Sequence, residues 1–341
     1  MFDFTDDKKI TKIKKPLKYL ILSLFFCNTI NAQASELPPV LMKQGAYTIY
    51  DKQALDLLDL GAKLEVLASG FEWTEGPVWD DKNKRLLFVD IPNNKIHSYS
   101  ELQGVTDFLY PSGRVNGLLI DAEGTLVMMS TATRTVAKLK MTERVKASSV
   151  QHIVSHYKGK RLNSPNDVAL HRSGVLFFTD PPYGLPKRMD DPNKELDFQG
   201  VYRLSVDNKL SLIDDELTFP NGIAISPSQD KLYVAVSDDA EPAWYQYLLD
   251  AQGNVIDKSL LFKPKFLGIE HGTTDGLKVH STGTVFATGP GGVWIFSSDK
   301  RLLAQIAMPG FTANLAFNGD ESLIYLTAHK ELRRLKLRHA D

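Results

Sequence analysis

An all-β fold is predicted: a six-bladed β-propeller of four-stranded antiparallel blades, the last blade closed by an N-terminal strand. Three observations predict it. One short unit recurs six times, the units are spaced like propeller blades, and the last unit lacks a strand that an unassigned segment nearer the N-terminus can supply. A repeat decides the whole architecture, so it is taken first. The stretches "EGPVWDDKNKRLLFVD" from Glu75, "NGLLIDAEGTLVMMS" from Asn116, "NDVALHRSGVLFFTD" from Asn166, "NGIAISPSQDKLYVAVSD" from Asn221, "DGLKVHSTGTVFATG" from Asp275 and "NLAFNGDESLIYLTA" from Asn314 align with one another. Each reads as a polar head, a short apolar strand, a turn and a second apolar strand. In the first unit Val78, Asp80 and then Leu87, Val89 alternate as in two half-buried strands joined by a turn from Asp81 to Lys84.

The heads lie 41, 50, 55, 54 and 39 residues apart, close to the ~40 to 50 residues of one propeller blade. Between heads the chain supplies two further strands, "KIHSYS" and "VTDFLY" in the first unit and "GVWIFSS" and "LLAQIAM" in the fifth. The sixth unit has only "NLAFN", "SLIYLTA" and "ELRRLKL" before the chain ends at Asp341. "KLEVLAS", from Lys63, precedes the first head and has no unit of its own. Pairing it with the final blade closes the ring and hides two strand edges that would otherwise be open. Residues 63–341 are therefore read as the propeller and residues 35–62 as a leading segment, with "KQALDLLDLGA" forming one or two helical turns.

Before that segment, six lysines from Lys8 to Lys18 precede the apolar run "YLILSLFF" and the small-residue stretch "NAQASE". This is the layout of a secretory signal peptide over residues 1–34, with an Ala32-Gln33-Ala34 cleavage site. The apolar run is far short of the ~20 residues that span a bilayer, which argues against an uncleaved anchor. The mature chain is expected to be exported, periplasmic or secreted, with no membrane association after cleavage. Cys27, the only cysteine, falls inside the leader. It is a poor lipid anchor, because Phe26 stands where a small residue is wanted. The mature chain thus has no disulfide, no thiol nucleophile and no Cys-based zinc site.

With 43% hydrophobic and 24% charged residues, the 341-residue chain has the composition of an ordinary globular protein. Its net charge of -1 gives no basic excess with which to hold nucleic acid or an anionic membrane surface. Small neutral or weakly charged ligands remain.

In a propeller the first strand of each blade lines the central channel, and the connections into those strands emerge on one face. Glu75, Asn116, Asn166, Asn221, Asp275 and Asn314 should therefore converge at one mouth of the channel. Singly, Asn-Gly and Asp-Gly are turn formers. Six oxygen-bearing side chains in register, without His or Cys, select a hard cation instead. Two carboxylates among amides match one divalent ion, and Ca2+ is preferred because its coordination is looser than that of magnesium. A purely structural ion is the alternative. The longest loop of that face, residues 180–199, would overhang the ring as a rim or lid and carries Tyr183, a candidate substrate contact. Arg114 and His271, just before two heads, are further candidates.

There is no G-x-S-x-G elbow and no H-E-x-x-H, and "GPGG" from Gly289 lacks the Lys-Ser/Thr of a P-loop. What remains for catalysis is attack assisted by a metal ion and a neighbouring carboxylate. In this context "WTEGPVW", "VNGLLIDAEG", "SPNDVAL", "FTDPPYG", "FPNGIAIS", "TDGLKVH" and "GPGGVWIF", in that order from about Leu55 onward, resemble the gluconolactonase and regucalcin (senescence marker protein 30) family. The resemblance implies a six-bladed, calcium-type propeller that hydrolyses sugar lactones. It further implies metal ligands at Glu75, Asn166, Asn221 and Asp275, Asp275 as acid/base, and Asn116 as a substrate contact. The chain departs from some members at Ser164, where they carry Arg. An organophosphate or aryl esterase on the same metal site, or a non-catalytic ligand-binding propeller, are the competing readings.

Overall fold

The repeat units fold into six antiparallel sheets, four-stranded except for the fifth, which has six strands, and the innermost strands of neighbouring sheets touch all the way round a closed ring. The computed structural model describes residues 34–142, 145–265, 268 and 271–338. The signal peptide assigned to residues 1–34, including Cys27, lies outside them except for Ala34. The innermost strands are Thr74–Asp80, Val115–Ile120, Val168–Leu170, Pro220–Ile225, Leu277–Val279 and Asn314–Phe317, blades 1 to 6 in that order. Blade 6 takes its outer strand from the N-terminal side. Glu65–Ser69 pairs antiparallel with Glu331–Lys336, with Val66 opposite Arg333 and Glu65 opposite Arg334. This is the closing strand expected from "KLEVLAS".

The second strands are more deeply buried than the alternation of Leu87 and Val89 suggests. Leu86, Leu87, Phe88 and Val89 all have zero exposure, so the reading of this strand as half-buried is corrected. The cause is the packing of blades face to face: a second strand meets a neighbouring blade on both sides and reads as a continuous apolar run. Apolar clusters fill each of the six junctions between neighbouring blades. Between blades 4 and 5, Trp244 lies 5.6 Å from Trp294 and 5.4 Å from Phe296, ring centroid to centroid. Full burial of each such side chain contributes about 1.5–3 kcal/mol. The outer strands meet no further blade, and Thr106 and Asp107 in Gly104–Leu109 are exposed.

The leading segment is woven into the ring. Met42–Gln44 and Tyr47–Ile49 form a hairpin whose second strand pairs with Leu302–Ala307, extending blade 5 to six strands. A 3-10 helix follows at Lys52–Asp56, with the Asp51 carboxylate accepting from the Gln53 N–H at its start. Leu58 then bridges to Leu337 beside blade 6. Tyr47, Ile49, Leu57 and Leu58 are buried against Leu335 and Leu337, which ties blades 5 and 6 together.

At the heads of blades 1, 2 and 4 the ladder of the innermost strand is interrupted. The register shifts between Glu75 and Val78, Val115 and Leu118, and Pro220 and Ile223, so these head pairs sit in bulges that turn toward the next blade. The glycine after the head follows from this, and it is a matter of space. A Cβ on Gly117 would stand 2.5 Å from the Asn166 carbonyl oxygen, and one on Gly222 would stand 2.3 Å from that of Asp275. The repeated Asn-Gly pairs therefore mark close approach of two backbones at the channel, and Gly276 of the Asp-Gly pair makes room for the Asn314 side chain, beyond the turn-forming role that each has singly. Below the heads a cavity of about 690 Å³ opens toward the opposite face. Val78, Leu119, Ala169, Ala224, Lys278 and Phe317, each three residues past a head, all line it.

Gly222→Ala is expected to destabilise the protein by about 1–3 kcal/mol through overpacking against a backbone oxygen. A urea midpoint equal to that of the unchanged protein would refute this account of the glycine.

Candidate active site

The six heads form one ring. Glu75, Asn116, Asn166, Asn221, Asp275 and Asn314 are each between 3 and 7% exposed, so all are buried at the channel mouth. Contacts link each neighbouring pair of blades. Gly76 packs on the Asn116 carbonyl from blade 1 to blade 2. The Gly117 N–H donates to the Asn166 carbonyl at 2.7 Å. The Thr179 hydroxyl donates to the Asn221 carbonyl at 2.6 Å, and the Ile223 N–H to Asp167 Oδ2 at 3.3 Å. The Ser237 hydroxyl donates to the Thr274 carbonyl, and the Gly276 N–H to the Ala313 carbonyl at 2.7 Å. Asn314 Nδ2 closes the circle by donating to Glu75 Oε2 at 3.2 Å.

The ring's electrostatics are unusual. Burial pushes the Glu75 carboxyl up to about 7, opposed by the Gly76 N–H, reinforced by the Asp167 charge and eased by Asn314 and Lys278. Burial, then the charges of Glu75 and Asp167, push Asp275 well above the usual carboxylate range. Asp275 Oδ1 is buried without a hydrogen-bond partner. Three acidic side chains thus repel one another in a poorly solvated space. Among the described residues, no three His, Cys, Asp or Glu side chains gather as a metal cluster. A cation at this ring would rest on the amide oxygens of Asn166 and Asn221 as well as on the carboxylates of Glu75 and Asp275. Asn221 is held by its Nδ2, which donates to Ser237 Oγ at 2.9 Å and leaves its oxygen available.

The mouth above is walled by aromatic groups. Trp73 packs on Phe311 at 5.0 Å and on His329 at 4.9 Å, where blades 6 and 1 meet. Tyr183 stacks on Phe219 at 5.6 Å, with the Arg188 guanidinium 5.4 Å from the Tyr183 ring. Phe219 stands two residues before the Asn221 head, so Tyr183 lies beside the ring, where burial and then the Asp275 charge raise its hydroxyl's pKa. The loop of residues 180–199 is pinned down. The Asp180 carboxylate accepts from the N–H groups of Asn163 at 2.7 Å and Ser164 at 2.6 Å, and the Gly184 N–H donates to Ser164 Oγ at 2.9 Å. Ser164 thus anchors the loop that carries Tyr183. Arg114 and His271 lie exposed on the connections into blades 2 and 5. The Arg114 backbone has φ 50° and its N–H donates to Asn94 Oδ1 at 2.7 Å.

Sequence reading missed Asp167, Lys278 and the hydroxyls of Ser237, Thr179 and Thr288. The signal was in the alignment. Thr179, Ser237, Thr288 and Thr327 are each the last residue but one of their repeat stretches, near the ends of four second strands. Asp167 stands where four other units have glycine, and Lys278 stands where the other five units have an apolar residue.

Fold and site together define a six-bladed β-propeller with a buried ring of oxygen donors under an aromatic mouth. Residues 73–330 match the SMP-30/Gluconolactonase/LRE-like region, and the chain belongs to that family. It is 35% identical over 311 residues to a gluconolactonase of Zymomonas mobilis, covering 86% of each chain. A pentonolactonase of Haloferax volcanii is 23% identical over 259 residues, 74% of this chain and 80% of that one. The solved gluconolactonase structure from Xanthomonas campestris superposes with a TM-score of 0.76 at 28% identity, covering 90% of this chain and 99% of its own.

Ser237→Ala removes both a donor to Thr274 and the acceptor of the buried Asn221 amide. A loss of about 1–3 kcal/mol in chemical denaturation is expected, and an unchanged stability would show that the hydroxyl does not brace the ring.

Proposed function

We propose that this protein hydrolyses a sugar lactone of the gluconolactone type to the aldonic acid, at one divalent cation, Ca2+, held by Glu75, Asn166, Asn221 and Asp275. The observation that carries the reading is Asp275 Oδ1, a buried carboxylate oxygen with no partner, set among carboxylates that burial already destabilises. Such a donor set fits a hard cation, since carboxylate and amide oxygens are the ligands that calcium takes. Bound there, the cation would polarise the lactone carbonyl and stabilise negative charge developing on its oxygen. The family membership and the lactonase relatives support the substrate class.

The side chains do the rest. Asp275, through the carboxylate oxygen that would not hold the cation, takes a proton from the attacking water as the water oxygen adds to the lactone carbonyl carbon. The C–O bond to the ring oxygen then breaks, and the same proton is delivered to that oxygen, giving the hydroxyl of the open acid. Asn116, at the ring, and Tyr183, above it, orient the sugar. Trp73 and Phe311 offer apolar faces against which the ring's C–H edges pack. Arg114 and His271 bind hydroxyls at the rim. On the strength of its leader, the mature chain is proposed to work outside the cytoplasm.

Asp275→Asn is expected to lower kcat about 10³-fold with an unchanged circular dichroism spectrum; near-normal turnover would refute its role. Exhaustive chelation is expected to abolish aldonolactone hydrolysis in a pH-stat assay, and added Ca2+ to restore it. Full activity after chelation would exclude the cation. Phosphotriesters assayed alongside distinguish the esterase reading.

A further inference from the structure

Two positions that break the repeat meet each other. Asp167 follows the blade 3 head and is buried, whereas Lys278 extends from blade 5 into the top of the 690 Å³ cavity. Lys278 Nζ lies 3.8 Å from Asp167 Oδ2, across the channel. It also donates to Asn314 Oδ1 at 3.3 Å and to the Leu277 carbonyl at 3.1 Å. Asn314 Oδ1 accepts in addition from the Leu315 N–H at 2.9 Å, which fixes the amide so that Nδ2 faces Glu75. One ammonium therefore touches blades 3, 5 and 6 and reaches blade 1 through Asn314. Of the six side chains three residues past the heads, it alone carries charge.

We propose that Lys278 is the internal counter-ion of the ring, a positioning residue that holds Asn314 and the carboxylate cluster in place before a cation binds. Three buried carboxylates without an adjacent positive charge would drive the channel mouth apart, because an uncompensated buried charge is strongly destabilising. The lysine offsets that cost from below while leaving Asp275 Oδ1 open above. It also repels an arriving cation, so it trades affinity for a ring that stands preformed. The proposal rests on the cation reading of the site given above, and the test separates the two.

The full-length mature chain is melted after chelator treatment and again with saturating Ca2+, as wild type, Lys278→Met, Lys278→Arg and the double variant Asp167→Asn/Lys278→Met. Lys278→Met is expected to lower the Tm of the chelator-treated protein by roughly 5 °C, and that of the calcium-loaded protein by less than half as much. By the thermodynamic cycle, calorimetric Ca2+ affinity then rises about tenfold. Lys278→Arg, for which the cavity has room, keeps the wild-type pattern, and the double variant regains most of the loss in the chelated state. Folding of Lys278→Met only in the presence of Ca2+ is the same result in stronger form. Equal losses in both states, no loss, a weaker Ca2+ affinity, or Lys278→Arg behaving like Lys278→Met would each overturn the proposal. If no divalent cation shifts the wild-type Tm, the cation reading falls. Recovery of the chelated Tm in the double variant still decides the counter-ion role.

Discussion

The structure depends on one non-covalent closure. Glu65–Ser69 pairs with Glu331–Lys336, and the Thr74 N–H and hydroxyl donate to the His329 carbonyl at 2.7 and 3.0 Å. Without that seam the first and last blades would be free ends with open strand edges. With it, Glu75 and Asn314, 239 positions apart in the chain, come within hydrogen-bonding distance. The leading segment reinforces the closure: its hairpin extends blade 5 and Leu58 bridges to the end of blade 6. A ring is also a severe constraint on packing, since each blade must fit two neighbours at once. This is why aromatic and branched side chains fill the outer part of each junction while glycines allow the inner ends to converge.

That convergence creates the electrostatic character of the site. Blades taper toward the channel, so six polar heads share a small volume from which water is largely excluded. An amide can donate to its neighbour, as Asn314 does to the Glu75 carboxylate. Carboxylates do not, and the raised pKa values of Glu75 and Asp275 express their mutual repulsion and lost hydration. A site of this kind has strong use for positive charge. From below that charge comes from Lys278; from above the oxygen donors remain available to a ligand.

The hydroxyls at the ends of the second strands connect fold to site. Ser237 bonds both the Thr274 carbonyl and the Asn221 side chain, so the contact that joins blades 4 and 5 also orients a head. Thr179 and Thr288 make the corresponding links from blade 3 to blade 4 and from blade 5 to blade 6. A change in blade packing would therefore be felt directly at the ring.

The repeat was legible in the chain alone, because propeller blades impose the same local pattern of head, strand and turn on each unit. Strand count, the closing strand and the gathering of the six heads followed from that pattern and from the need to pair edges. The hairpin at 42–49 was not legible: its strands are three residues each, too short to establish a period, and they are strands because blade 5 offers an edge. Nor did alternation reveal that Leu86 and Phe88 are as buried as Leu87 and Val89, since burial on both faces is imposed by neighbours distant in sequence. The types of residue at the ring were determined by the sequence. Which atoms are paired and which are not, the Lys278 ammonium joined to Asp167 and Asn314 below and Asp275 Oδ1 left bare above, was decided only by tertiary structure, because hydrogen-bond partnership and desolvation depend on distances between blades.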